Sequence, residues 1–422
     1  MRRTLSDQQA LVYLILCPQG SCALIVTPSS HPVPVIGLDL RTLRSGRVVT
    51  LTLGLGMRED GSPDGISPGR PRFGEGILGG AEHSGLPRFG LLLRKILGEL
   101  GRQLAQPLEE ALRRTSVTDA VLIPCGRTAS IPWHATTWRD ERGTTSLSAT
   151  LKSVAYAPSA GSWMSARKRA VRTARLPAHL VGIANPRGSS PPLFGAEAEL
   201  RQISTGFAPE AQDVAFGPDA TGAFLTQQLS RATHLHLGCH GKMWHDGKDR
   251  AALMLADAEQ LAMSRIRHLA GENLRLVVAA ACESGTLELF QQPEEANSLS
   301  TAFLHAGAAG VLGALWQIPD LPTALLLTRF YELLGAEPDG DPARALTEAQ
   351  TWMRTLTRRA ARRYLAERPL LKALQTSGTL RGAGRRARPR PTHPFRPPSA
   401  LERLRMPYAG PEYWAGFVLH GC

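Results

Sequence analysis

Two short stretches of the chain hold the residue types from which a nucleophilic centre can be built. The first, THLHLGCHGKMWH at 233–245, carries four histidines and Cys239; the second, LRLVVAAACESG at 274–285, carries Cys282 just ahead of Gly285. Both stretches are apolar runs that read as strands, and parallel neighbours in one sheet bring their carboxyl ends to the same edge. His240 and Cys282, 42 residues apart in the chain, would then meet. A thiol of ordinary pKa, about 8.5, is only a few per cent thiolate at neutral pH and needs such a neighbour. The imidazole takes the S–H proton and later gives one to a leaving amine. Gly241 lets the backbone turn beside His240, and the N–H groups of Gly241 and Cys282 are the natural donors to the oxyanion of a tetrahedral intermediate.

Other chemistry is open to the same residues. His234 and His236 alternate along a strand and face one side, which with His240 makes a zinc site and a zinc hydrolase conceivable. That pattern has no adjacent aspartate, however, and the sequence contains no CxxC, so the expectation is structural histidines and no metal or other cofactor. Cys239 falls on the opposite side of its strand from His240 and is expected to pack. Taken alone, Cys282 fits a small buried residue at a strand end; its pairing with His240 and two glycines favours a nucleophile.

These residues need a sheet to position them. From Leu180 onward strands and helices alternate: HLVGIANP, then the helical GAEAELRQIST, DVAF, the helical TGAFLTQQLS, THLHLGCHG, LRLVVAAAC, the helical NSLSTAFLHAG, AGVLGALWQI, and two further helices. Near-continuous apolar strands separated by helices predict an α/β fold with a mostly parallel sheet covered on both faces, whose ligands sit beyond the carboxyl ends of the strands. The first 170 residues form another α/β half. It starts with a hairpin of Leu11–Leu16 and Cys22–Thr27 around the turn-forming PQGS, and includes a Gly/Pro-rich loop near 56–86, a helical stretch broken at Pro107, and the strand DAVLIPCG. The expected division is therefore 1–170, a catalytic half at 175–357, an inserted Arg/Pro-rich segment at 358–405, and a closing strand within 406–422.

Composition limits the setting. The net charge of +13 is concentrated between Arg358 and Arg405, where thirteen arginines and one lysine face two glutamates. That segment is too rich in Arg, Pro and Gly to build a core and is expected to be an insertion or a mobile arm. It is also the one place where an acidic partner or nucleic acid would be held, through phosphate contacts without base specificity. Six cysteines without a regular framework indicate thiols rather than disulfides and a reducing compartment. Asp7 and the bulky Ile15 and Leu16 before Cys17 argue against a cleaved leader. No run approaches the roughly 18 apolar residues of a membrane span. The expected location is the cytoplasm, with no membrane partner.

The order HLGCHG, LMLADAEQLAMSRIRHL, LVVAAACESG, LSTAFLHAGAAGVLGALWQIPDLPT, FYELL, ALTEAQ resembles the CHAT domain, a caspase-like cysteine peptidase family related to separases. LIPCGRTASIPWHAT, VAYAPSA, LVGIANPRG…LFGAEAEL and GPEYWAGFVLHG extend the resemblance over most of the chain. It implies a caspase-like three-layer sandwich, with His240 as catalytic histidine and Cys282 as nucleophile. It also implies that Asp320, in WQIPDLPT, is an acid facing a basic residue on the amino side of the cleaved bond. The chain departs from the family at Pro319, where a second Asp is frequent, and at Glu283 and Ser284, where Xaa-Thr is commoner. The function implied is an endopeptidase acting on a protein substrate, held idle until a protein partner activates it in a prokaryotic defence or signalling setting. The alternative from another class is a catalytically silent scaffold of the same fold that binds a protein partner.

Overall fold

The computed structural model describes residues 1–44, 86–243, 251–280, 298–336, 340–376 and 406–422, apart from 18, 142, 189–191 and 270, together with 48, 51, 66–67 and 70–71. Eleven strands make one sheet. In chain order they are β1 (Gln9–Ile15), β2 (Ser21–Val26), β3 (Val35–Leu40), β4 (Asp119–Pro124), β5 (Ser153–Tyr156), β6 (Leu180–Ala184), β7 (Gln212–Phe216), β8 (His234–Gly238), β9 (Leu276–Ala279), β10 (Gly310–Ala314) and β11 (Phe417–Gly421). Across the sheet the order is β7-β6-β8-β9-β10-β11-β5-β4-β1-β2-β3. The helices that bear on the site are α1 (Phe194–Ser204), α2 (Leu299–Ala306), α3 (Asp320–Gly335), α4 (Pro342–Thr355), α5 (Arg358–Ala366) and α6 (Pro369–Thr376).

The α/β reading of the sequence holds. Strands β6, β8, β9 and β10 pair in parallel and are buried at every position, as expected of strands with helices on both faces. On one face Leu276, Val278 and Leu312 pack with Leu200 of α1 and Leu325, Leu326 and Phe330 of α3. On the other, Leu235, Leu237, Val277 and Val311 pack with Phe303 of α2. A capping box between Ser298 and Thr301 starts α2, satisfying donors that the first turn would otherwise leave open. The predicted hairpin is β1 and β2, in antiparallel register from Leu11 with Val26 to Ile15 with Cys22. Strand β11 runs antiparallel to β10 and parallel to β5, so the end of the chain joins the two groups of strands into one sheet.

Two regions differ from the sequence reading. Residues 358–376, placed in an Arg/Pro-rich insertion or mobile arm without a core, form α5 and α6. In α5 Ala361 and Leu365 are buried while Arg358, Arg359, Arg362 and Arg363 face solvent, and Leu371 of α6 is buried in the core. An apolar stripe at helical spacing suffices to dock a helix despite its charge. The remainder of that segment, 377–405, lies outside the described residues, as does most of the Gly/Pro-rich loop near 56–86. The stretch between β8 and β9, to which the sequence reading assigned no element, contains a small antiparallel sheet of Gly241–Met243, Ala251–Met254 and Gln260–Ala262. Its strands are three or four residues long, too short for alternation of apolar and polar positions to show.

Candidate active site

The chain leaves β6 for β7 on one side and returns to β8 on the other. This reversal opens a crevice at the carboxyl ends of β6 and β8, the place where open α/β sheets bind ligands. Asn185, directly after β6, spans it. Its φ is +50°, a left-handed conformation that Asn tolerates better than most residues. Its N–H donates to Gly238 O at 3.0 Å, its Oδ1 accepts from Leu193 N–H at 2.7 Å, and its Nδ2 donates to Glu197 Oε2 at 3.1 Å. Asn185 thereby fixes the start of α1 over the end of β8. The fit is close: a Cβ at Gly238 would stand 3.0 Å from that of Ala196.

His240 lies two residues beyond the end of β8 and is half-buried. Residues alternate as expected, since His234 and His236 turn towards α1 and α3, whereas Cys239 packs with Leu235 and Leu237 on the far face. The Met254 N–H donates to His240 O at 2.8 Å, and Gly241 stands opposite Leu253. In an antiparallel ladder, facing pairs alternate between bonded and non-bonded. The 240/254 pair is bonded, so Gly241 belongs to a non-bonded pair and its N–H is turned away from the 251–254 strand.

Asp320, the first residue of α3, comes to the same rim. Its carboxylate accepts a hydrogen bond from Gly195 N–H in the first turn of α1 and lies within electrostatic reach of His240. Desolvation raises the Asp320 pKa above the usual carboxylate range, and the Gly195 N–H and His240 oppose that rise. Gly195 is required there, because any Cβ would fall on the Asp320 side chain. Two helix N-termini thus meet at one carboxylate, an arrangement that favours its anionic form.

Beneath the rim this otherwise apolar face of the sheet carries a polar cluster. Glu199 of α1 and His236 of β8 are fully buried with Oε1 and Nε2 3.0 Å apart, and His236 Nδ1 is 3.3 Å from the Tyr331 hydroxyl. Burial is the main cause that raises the Glu199 pKa, opposed by His236 and reinforced by Asp320. Both ring nitrogens of His236 therefore face protein groups. Burial, with Arg275 adding to it, holds His234 neutral, its pKa down to about 4. Among the described residues no group of three or more His, Cys, Asp and Glu is arranged to hold a metal ion.

Cys282 lies outside the described residues. The strand that leads to it does not: β9 pairs with β8 from His234 with Leu276 to Leu237 with Ala279, a constant separation of 42 positions. Of the residues that the sequence singled out, the structure brings His240, Gly241 and Asp320 to one rim. Asn185, Gly195 and Glu199 were missed, and the signal available for them was only their place in ANP and in the first turns of an amphipathic helix.

The CHAT domain family model matches residues 94–422. The chain belongs to the CHAT domain family. The fold of this CHAT chain is shared with separase: the Saccharomyces cerevisiae separase–securin complex aligns with a TM-score of 0.55 at 10% identity, over 82% of the CHAT chain and 29% of the separase chain. The chain thus spans under a third of that relative's length. Gingipain R, the Arg-specific cysteine proteinase, aligns at a TM-score of 0.41 and 10% identity over 81% of this chain and 69% of that one, and the complex of Porphyromonas gingivalis RgpB pro- and mature domains at 0.39 and 9%, over 81% and 70%. No curated protein matches the sequence. The architecture is that of the caspase-like cysteine peptidases. No helix among the described residues is long and apolar enough to cross a membrane.

Proposed function

We propose that this CHAT protein is a cysteine endopeptidase in which Cys282 is the nucleophile and His240 its base. The observation that carries the reading is the β8–β9 register, whose separation of 42 positions is also that between His240 and Cys282. His240 takes the proton of the Cys282 thiol, and the thiolate attacks the carbonyl carbon of the scissile bond. The N–H of Gly241, not used by the neighbouring ladder, and that of Cys282 hold the oxyanion. The imidazolium then protonates the departing amine, leaving a thioester that water hydrolyses with His240 again as base.

Asp320 supplies the specificity. As a half-buried carboxylate beside His240, it presents a negative charge where the substrate residue before the cut would enter, which selects a lysine or arginine. Separase in the matched structure is bound to securin, and a protein partner that controls access is the corresponding proposal here. Digestion of an unbiased peptide library by wild type, Cys282→Ala and Asp320→Ala tests both assignments. Cleavage after basic residues by wild type, none by Cys282→Ala, and a lost basic preference in Asp320→Ala are expected. Retained cleavage by Cys282→Ala would refute the nucleophile.

A further inference from the structure

A second concavity lies at the opposite edge of the sheet from the rim. His234 opens β8 and Arg275 directly precedes β9, so both stand at the amino ends of strands whose carboxyl ends lead to the rim. Between them, the end of α1 with the segment after it, and the later turns of α3, the fold leaves a cavity of about 390 Å³. Sites that take small molecules run from about 300 to 1,000 Å³. The walls are mostly apolar. Phe207 meets the rings of His234 and Tyr331 edge to face, with centroids 5.8 and 6.4 Å apart. The polar groups on the walls are few and unequal. Glu332 is already held, 2.6 Å from Arg368 Nη2 and 3.3 Å from Arg329 Nη1, and it accepts from the Tyr364 hydroxyl at 3.0 Å. His234 is kept neutral by burial, with Arg275 adding to it, and its Nδ1 is 3.0 Å from the Thr233 hydroxyl. Arg275 is different. It is half-buried, donates through Nη2 to Gly340 O at 3.3 Å, and enters no ion pair among the described residues. On the wall formed by α3, Thr328 keeps a buried hydroxyl with no hydrogen-bond partner among the described residues, a state that folded proteins rarely leave unexplained.

We propose that this cavity is a binding site for a small aromatic monocarboxylate, with its carboxylate on Arg275 and its ring against Phe207 and Tyr331. A guanidinium presents paired N–H groups that match the two oxygens of a carboxylate. With Glu332 neutralised by its own arginines, Arg275 sets the sign of the cavity and selects an anion. One cation in a mostly apolar enclosure balances one negative charge; a second would be buried unpaired, at a high cost. The aromatic walls supply flat apolar surface for a ring, which packs on such side chains edge to face or offset. The volume suits a molecule of this size and not a folded partner. The site is separate from the rim, so the inference goes beyond the peptidase reading and does not depend on it.

The test titrates the intact protein with benzoate, phenylacetate and 2-naphthoate, each against its primary amide, followed by saturation-transfer NMR. At least one acid should bind saturably, with a Kd of about a millimolar or below. Its amide should bind about tenfold or more weakly, because it cannot form the charge-assisted pair. That comparison needs no variant. Arg275→Gln should weaken the acid to the level of the amide, and Phe207→Ala should weaken acid and amide alike. Arg362→Gln, on the exposed face of α5, should change neither. Saturable binding of none of the three acids, equal affinity for acid and amide, or acid binding unchanged in Arg275→Gln would overturn the inference. Cys282→Ala should bind the acid as wild type does, whatever becomes of its peptidase activity; a loss of binding in that variant would put the ligand at the rim and overturn the inference as well.

Discussion

At the scale of single residues, the site depends on where a few side chains have no freedom. Gly195 is the strictest case, since a methyl group there collides with Asp320. Gly195→Ala should displace the carboxylate, at about 1–3 kcal/mol of stability, and reduce the preference for a basic over a neutral peptide about tenfold or more, which is 1.4 kcal/mol; a preference unchanged within twofold would contradict the geometry. Asp320 has a raised pKa, so its charge is present well above the usual carboxylate range and is lost as pH falls through the raised value. The preference for basic peptides should therefore fade on acidification sooner than for an exposed aspartate, and the same profile measured on Asp320→Asn should be flat. Under the proposed mechanism, each alanine variant of Cys282 or His240 should lower kcat/KM by about 10³-fold or more.

At the scale of elements, the alternation from Leu180 onward was legible because each strand is a near-continuous apolar run. His240 at the end of its strand followed from the sequence, as did the orientation of Cys239 away from it. The pairing of Asp320 with Gly195 was not legible, because it joins two helix N-termini 125 positions apart and leaves no periodic trace. Glu199 reads in the sequence as an ordinary polar position of an amphipathic helix, and only the approach of β8 and α3 buries it. The arginine-rich helix α5 was missed for the opposite reason: its composition outweighed a stripe of two apolar residues, Ala361 and Leu365. Ala361→Glu in that stripe should unseat α5 with a loss of about 1–3 kcal/mol, measurable as a lower urea midpoint, while Arg362→Glu on the exposed face should leave the midpoint in place.

At the scale of the whole molecule, the buried interior holds several histidines neutral. Burial depresses the pKa of His134 to about 3 and those of His234 and His420 to about 4. The unfolded chain takes up these protons near pH 6.5, so stability is complete above that pH and falls as pH drops towards the folded values. Each histidine costs about 1.4 kcal/mol per pH unit in that window. By pH 5 the three together offset a large part of the 5–15 kcal/mol typical of a folded domain. The urea midpoint should thus drop steeply between pH 6.5 and 5. His420, on β11 where the two groups of strands join, has no hydrogen-bond partner for either ring nitrogen among the described residues. His420→Leu should therefore weaken that dependence at little cost at pH 7.5, and an unchanged slope would show that His420 is charged in the native state.

The central claim is that the Cys282 thiol and the His240 imidazole act as one unit at the rim of β8 and β9. It is tested most directly by the pH dependence of Cys282 alkylation with iodoacetamide, resolved by peptide mass spectrometry in wild type and His240→Ala. A thiol activated by His240 should react in wild type with an apparent pKa well below about 8.5 and return towards that value in the variant. Identical profiles in the two proteins would contradict the account.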